Sequence, residues 1–416
     1  MDIKQFPAHP SLEQYKKQAK ELLQAFRSAE IDAMHRVRRN HPRFRKLAEA
    51  EFRSAPFALA DAQWVIAREY GLESWSKFTH YMQDLARKDS PVSIFESAAD
   101  AVVAGDLDTL ARLLREGPSL IRARSAREHQ STLLHYIAAN GIEDFRQKTP
   151  KNVVAVARML LEAGAEVDAE NHDYSGGGTA LGLVATSYHP ARAGVQIELL
   201  ETLLAAGASP DGLSGGWSPL TAALANGRGD AAEFLAKRGA RLDLEGAAGT
   251  GHLDAVKSYF NQDGSLKATA TKAQMESGFA WACEYGRTSV VEYLLQIGFA
   301  VDTRLRHDGQ TGLHWAAYNA HVDMVKLLLE RKAPVDAQDK RYEGTPLGWA
   351  LYAWSDPPPE ARRDDYYKVV ALLVAAGATV DQAWLADPNR EKPIIQKIHA
   401  DPRMLSALHG ETKTET

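Results

Sequence analysis

QTGLHWAAY at residues 310–318, followed by VKLLLERKAPVD at 325–336, decides how this chain is read. Both strings recur. STLLHYIAA (131–139), GTALGLVAT (178–186), WSPLTAALA (217–225), ESGFAWACE (276–284) and GTPLGWALY (344–352) share the first template, with a Thr or Ser at 132, 179, 218, 277, 311 and 345. ARMLLEAGAEVD (157–168), LETLLAAGASPD (200–211), AAEFLAKRGARLD (231–243), VEYLLQIGFAVD (291–302) and VALLVAAGATVD (370–381) share the second. The leucine pairs of the second template stand at helical spacing and bury one face. A Gly closes most of these helices, as a left-handed cap prefers; Lys332 takes its place in one unit, which predicts a weaker cap there. The Thr or Ser of the first template is expected to cap its helix.

A TPLH-x-A string, a helix, LL-x-x-GA-x-V-D and a polar turn, repeating every 33 or so residues, together resemble the ankyrin repeat. The resemblance covers about residues 93–385. Six units follow the pattern, and two are degenerate: IFESAADAVVAGDLDTLARLLREGP at 94–118 and EGAAGTGHLDAVKSYFNQDG at 245–264, which lacks the TPLH start. Three units are too long, at 141–151 (GIEDFRQKTPK), 187–195 (SYHPARAGV) and 354–366 (WSDPPPEARRDDY). All three insertions fall between the two helices of a unit, which in an ankyrin array puts them along one edge. They read equally as a binding feature and as tolerated surface length.

Residues 1–90 do not fit the template. PSLEQYKKQAKELLQAFRS puts Leu12, Tyr15, Ala19, Leu22, Leu23 and Phe26 on one helical face, with Ser11 and Gln14 as a capping box. LADAQWVIAREYG and LESWSKFTHYMQDLA predict two further helices, between which Trp64, Ile66, Tyr70, Trp75 and Phe78 would pack. The segments QAKELL and ADAQWVIAREYGLESW are similar to a helical domain that precedes ankyrin arrays in many bacterial proteins. That resemblance implies a bacterial source and a role for this domain in covering the first repeat, since array ends expose an apolar face.

The composition is that of a folded protein, 45% hydrophobic and 25% charged. No apolar run reaches the ~20 residues of a membrane span, and the N-terminus lacks an apolar signal core. One cysteine, Cys283, excludes an intrachain disulfide and fits a cytoplasmic location. The net charge of −5 is uneven: residues 1–90 carry 16 Lys+Arg against 12 Asp+Glu. Arg36, Arg38, Arg39, Arg43, Arg45 and Lys46 form a basic stretch whose plain reading is a solvated surface; nucleic-acid binding through it is the third-ranked reading, and the acidic remainder opposes it.

Chemistry-bearing patterns are few. Gly212-Leu213-Ser214-Gly215-Gly216 matches the GxSxG nucleophile elbow, but follows LLAAGASPD and precedes WSPL, which makes it an inter-repeat turn rather than a strand-to-helix corner. His172-Asp173 and His307-Asp308 lie in separate turns and make a poor metal site. His135 and His314 hold the TPLH histidine position and are read as structural, and Cys283 as core. No catalytic residue, metal or cofactor is assigned.

The aromatic residues are more informative. Counted from each key Thr or Ser, the fourth position carries Tyr136, Leu183, Ala222, Trp281, Trp315 and Trp349, and the seventh carries Glu284, Tyr318 and Tyr352 in the last three units. By analogy with ankyrin proteins, these positions line or border the concave surface of the first helices, so Trp281, Trp315 and Trp349 would form a ladder flanked by Tyr285, Tyr318 and Tyr352. Such rings are enriched at binding hot spots. The neighbouring turns are basic, with Arg304, Arg306 and His307 in one and Lys340, Arg341 and Tyr342 in the next; they could steer an acidic or polar partner. Tyr136, Trp217 and Asn319 complete the expected partner-binding set. The chain is therefore read as an all-α ankyrin-repeat solenoid (93–385) after a small helical domain (1–90), closed by a capping segment and tail (386–416). Its expected role is a scaffold for another protein or peptide. An enzyme or enzyme subunit using the aromatic groove and the inter-helix insertions for a small molecule is the alternative.

Overall fold

The computed structural model describes residues 3–7, 10–173, 177–213, 218–304, 308–358, 361–380 and 393–410. It divides into two compact units, Met1–Ala231 and Ala232–Thr416. Among the described residues no helix is long and apolar enough to cross a membrane.

The N-terminal unit begins with helices Leu12–Arg27, Ile31–Asn40, Leu59–Glu69 and Trp75–Leu85 and two short ones, Pro42–Arg45 and Glu49–Ser54. The spacing of apolar residues in the first helix gives one buried face: Tyr15, Ala19, Leu22 and Phe26 are buried, and Leu12 and Leu23 are half-buried. Ile66, Tyr70 and Phe78 join this core, whereas Trp64 and Trp75 lie at its margin. The Ser11–Gln14 capping box does not form; Ser11 occupies the cap position with no side-chain hydrogen bond. The basic stretch is tied into the fold. Arg36 holds Glu69 at 2.7 Å, Arg38 bonds Glu49 and the Leu47 carbonyl, and Arg43 reaches the Pro56 carbonyl.

Helix pairs follow. Pro91–Ala104 and Leu107–Glu116 form the first, the degenerate unit at 94–118. In the second, the segment LLHYIA folds as a 3₁₀ helix, Leu133–Ala138, and its α-helical partner is Val153–Glu162. Ala180–Thr186 with Gln196–Ala205, and Pro219–Ala225 followed by Gly229–Lys237, continue the pattern. A two-residue antiparallel hairpin, Glu170–Asn171 with Gly178–Thr179, forms one inter-repeat finger.

The insertion at 141–151 corrects the expectation of an edge loop. It turns inward through a 3₁₀ turn, Asp144–Arg146, and delivers Glu143 and Arg146 into the interior, 0% and 4% exposed. There Glu143 lies 2.6 Å from the Nε of buried Arg127, and Arg146 holds Glu96 at 2.7 Å and Asp100 at 2.8 Å. Arg127 also donates to the Tyr70 carbonyl at 2.7 Å and lies over the ring of Tyr81. This charge cluster joins the N-terminal helices to the first two repeats. Burial alone would raise the Glu143 carboxyl, but His129, Arg127 and Arg146 overcome it and hold the group far below the usual carboxylate range. The insertion at 187–195 forms a short helix, Tyr188–Arg192.

The C-terminal unit stacks Leu244–Gly249 with Leu253–Ser258, Lys272–Glu284 with Thr288–Gln296, Gly312–Tyr318 with Val322–Glu330, and Pro346–Ser355 with Arg363–Ala375. Thr345 caps its helix by accepting from the Gly348 amide, and Thr311 pairs with His314 in a capping box. Ser277 does not cap: its helix starts five residues earlier, at Lys272, after a capping box of Thr271 and Gln274. The degenerate repeat at 245–264 replaces the missing Thr with Asp243, which accepts from the Gly246 amide at 2.7 Å. At the insertion 354–366, Trp354 is fully buried. Helices Pro393–His399 and Pro402–Leu408 close the unit, burying Ile395, Ile398, Met404 and Leu408.

Candidate functional site

The exposed face of the C-terminal first helices is built on small residues. Ala316, Ala317 and Ala350 are buried between neighbouring helices, which sets the fourth and seventh positions on the opposite side. Trp315 and Trp349 meet edge to face there, with centroids 5.2 Å apart and planes at 83°. Tyr318 completes the cluster, 5.8 Å from Trp349 and 6.3 Å from Trp315. All three rings are half-buried. Edge-to-face packing places the positive rim of one ring on the negative face of another. Two further tyrosines stand free beside it: Tyr352 is 65% and Tyr342 68% exposed.

Asp339 fixes the cluster. Its carboxylate accepts the amides of Tyr342 at 2.7 Å, Arg341 at 2.8 Å and Gly344 at 3.0 Å, and the Trp349 indole N–H at 3.0 Å. Burial would raise this carboxyl, but these four donors hold it below its ordinary value. Gly344 is required by the close approach: a Cβ there would come within 2.8 Å of Asp339 Oδ2 and 2.9 Å of Trp349 Nε1. One polar group is left over, since the indole N–H of Trp315 is buried with no acceptor.

Burial raises the Tyr318 phenol, and the neighbouring Tyr352 and Glu284 add to that. Burial pushes the Glu284 carboxyl up to about 8. Sequence reasoning placed Glu284 at the seventh position but gave it no role. Asp339 it missed altogether; the only signal was an acidic residue followed closely by Gly344 in a finger.

The expected site residues separate into groups. Trp315, Tyr318, Trp349, Tyr352, Lys340, Arg341 and Tyr342 lie on one helix face and the adjoining finger. Asn319 donates to the Trp315 carbonyl at 3.2 Å. Trp281 and Tyr285 are half-buried, but Trp281 makes no ring contact with the cluster, so the three-rung ladder is reduced to two tryptophans and a tyrosine. Arg304 is structural: it donates to the Gly309 carbonyl at 3.1 Å and the Gln338 carbonyl at 2.6 Å, joining two fingers. Arg124 does the same with the Gln130 and Glu170 carbonyls. Tyr136 is corrected outright; it is fully buried with its hydroxyl 3.3 Å from Glu143 and cannot meet a partner. Trp217, Arg306 and His307 lie outside the described residues.

The remaining chemical candidates resolve simply. His135 Nδ1 accepts from the Thr132 amide at 3.0 Å, so its Nε2 carries the proton and donates to the Gly178 carbonyl at 3.1 Å. His314 repeats this with Thr311 and Gly344. Burial lowers both imidazoles, His135 to about 4. Cys283 is buried in the core, where burial raises its thiol. Ser214 lies outside the described residues; before it come helix Gln196–Ala205 and a turn at Gly212, not a strand.

A family model described as ankyrin repeats (3 copies) matches residues 244–339 and 279–383. No curated protein matches the chain. Among solved structures, the crystal structure of the human ASB11 ankyrin repeat domain is similar at 21% identity, covering 68% of this chain and 99% of that one, with a TM-score of 0.34. The family match over 244–383 and the capped helix pairs agree on a mostly helical fold built of ankyrin repeats.

Proposed function

We propose that this protein is an interaction scaffold whose partner, a protein or peptide, docks on the concave first-helix face of the C-terminal repeats. Ankyrin repeats are generally protein-interaction modules. The observation that carries the reading is the Trp315–Tyr318–Trp349 cluster, held by Asp339 and bordered by the exposed rings of Tyr342 and Tyr352. A rigid aromatic centre with free tyrosines at its edge supplies contact area at low entropic cost. Lys340 and Arg341 on the same finger favour an acidic or polar partner. On this reading residues 1–90 form a separate helical domain, 93–385 the array and 386–416 its closing segment, in a bacterial cytoplasmic protein.

The test is a Tyr342→Ala, Tyr352→Ala double variant of the full chain. Both side chains are largely exposed, so the fold should be unchanged by circular dichroism. Recovery of the dominant partner in a native pull-down should fall at least about tenfold, as hot-spot losses do. Undiminished recovery by a folded double variant would remove the assignment.

A further inference from the structure

The template positions that carry tryptophan in the C-terminal unit carry Leu183 and Ala222 in the N-terminal unit, and Ala139 and Thr186 stand where Tyr318 and Tyr352 do. The truncated side chains leave a cavity of about 640 Å³, within the range of roughly 300–1,000 Å³ of small-molecule sites. Ala139, Gly182 and Ala222 are among the small residues that line it.

Its polar groups are unevenly used. Ser187 lines the cavity, is 2% exposed, and its hydroxyl has no partner. Asn226, also lining it, donates its amide N–H to the Ala222 carbonyl at 2.8 Å, which leaves its carbonyl oxygen to accept. The insertion helix Tyr188–Arg192 supplies Tyr188 to the lining. Two guanidiniums converge on that ring: Arg228 at 5.4 Å and Arg192 at 5.8 Å from its centroid. Arg192 donates to the Tyr188 hydroxyl at 3.2 Å. Among the described residues neither arginine has a carboxylate partner, and the Nε of Arg228 is buried without an acceptor. Neither arginine lines the cavity itself; they set two positive charges just outside it, against the Tyr188 ring that does. Asp211 and Gly212 line the finger end, where Gly212 approaches Pro219 at the start of its helix. The two ends are thus about one short helix, ~10 Å, apart.

We propose that this cavity binds a small, elongated, hydroxylated organic anion. Its carboxylate or phosphate extends past Tyr188 to Arg192 and Arg228 outside the lining, and its hydroxyl groups are received by Ser187 and the Asn226 carbonyl. The site is independent of the aromatic face and uses none of its residues.

Isothermal titration of the full chain with glucose 6-phosphate and with gluconate tests this, with glucose and inorganic phosphate as probes that carry only one of the two features. At least one of the two anions should bind saturably, tenfold or more tighter than either control. Arg228→Gln should weaken that binding about tenfold, one lost charge-assisted contact. Ala222→Leu, which fills the floor with the side chain already present at Leu183, should abolish it. Tyr342→Ala with Tyr352→Ala should leave it unchanged. The proposal is overturned if neither anion binds saturably, if phosphate alone binds as tightly as glucose 6-phosphate, or if binding survives intact in both folded cavity variants.

Discussion

The two units present one template face with opposite fillings. In the C-terminal unit the fourth position holds Trp315 and Trp349, packed edge to face above a floor of buried alanines. In the N-terminal unit the same position holds Leu183 and Ala222, and a cavity of about 640 Å³ lies there instead. The interiors differ as well. The core of the C-terminal unit is a continuous cluster of apolar side chains, whereas the N-terminal unit buries Glu96, Arg127, Glu143 and Arg146 together. The caps and closing turns are shared, and they fix the backbone. The repeat therefore leaves the outward positions of its first helices free to carry different recognition chemistry without a change of fold.

The sharpest way to break this comparison is through the buried charges. Arg127→Met leaves Glu143 and Glu96 short of a cation in a site that excludes water. Removing one partner of a buried ion pair costs about 3–5 kcal/mol. We expect amide hydrogen exchange to show the loss in residues 59–160, where the helices bridged by Arg127 lie. Unchanged protection there would mean that the cluster is incidental to the joining of the N-terminal helices to the repeats.

In the C-terminal unit the corresponding liability is a single carboxyl. Glu284 rises from its ordinary value of 4.5 to about 8 because burial disfavours its charge. A folded-state value above the unfolded one means that the protonated form is favoured by folding. The stability this gives is fully present below about pH 4.5 and is lost as pH rises through 8. Glu284→Gln should thus match the parent protein in acid and become the more stable of the two between pH 5 and 9, by about 1–3 kcal/mol, discounted because the residue as a whole keeps some contact with solvent. Urea melts at several pH values would read this directly. A constant difference across that range would show that the carboxyl does not titrate with folding.

Much of this architecture was legible in sequence because the repeat announces itself through backbone requirements. Thr345, Thr311 and the closing glycines each satisfy a local need, a cap or a left-handed turn, and a local need leaves a local signature. The aromatic face was legible in part, since counting from the cap assigns a side of the helix but not a neighbour. It put Trp281, Trp315 and Trp349 on one face alike, and only Trp315 and Trp349 meet ring to ring. It also put Tyr136 on that face, where a helix would present it. The 3₁₀ winding of Leu133–Ala138 and the inward insertion instead bury it against Glu143. That arrangement depends on Arg127, Arg146 and Glu96, which lie up to 50 residues apart, and no periodicity records it.

The smallest expected effect concerns a cap common to both units. Second helices close on a left-handed residue, Gly164 and Gly207 in the N-terminal unit and Gly298 and Gly377 in the C-terminal one, but Lys332 holds that place at φ +65°. The backbone bonds are retained: Lys332 donates to Leu329 at 3.0 Å and Ala333 to Leu328 at 2.9 Å, as Gly377 and Ala378 do at 2.9 Å each. Lysine therefore bears the steric cost of the left-handed region with no change in hydrogen bonding. That cost is about 1–2 kcal/mol, offset in part by the greater freedom of glycine in the unfolded chain. Lys332→Gly should stabilise the protein by about 0.5–1 kcal/mol in urea unfolding, and Gly298→Lys should destabilise it by a similar amount. If Lys332→Gly destabilises instead, the lysine side chain makes a contribution at the finger that exceeds its backbone strain, and the cap is not interchangeable between repeats.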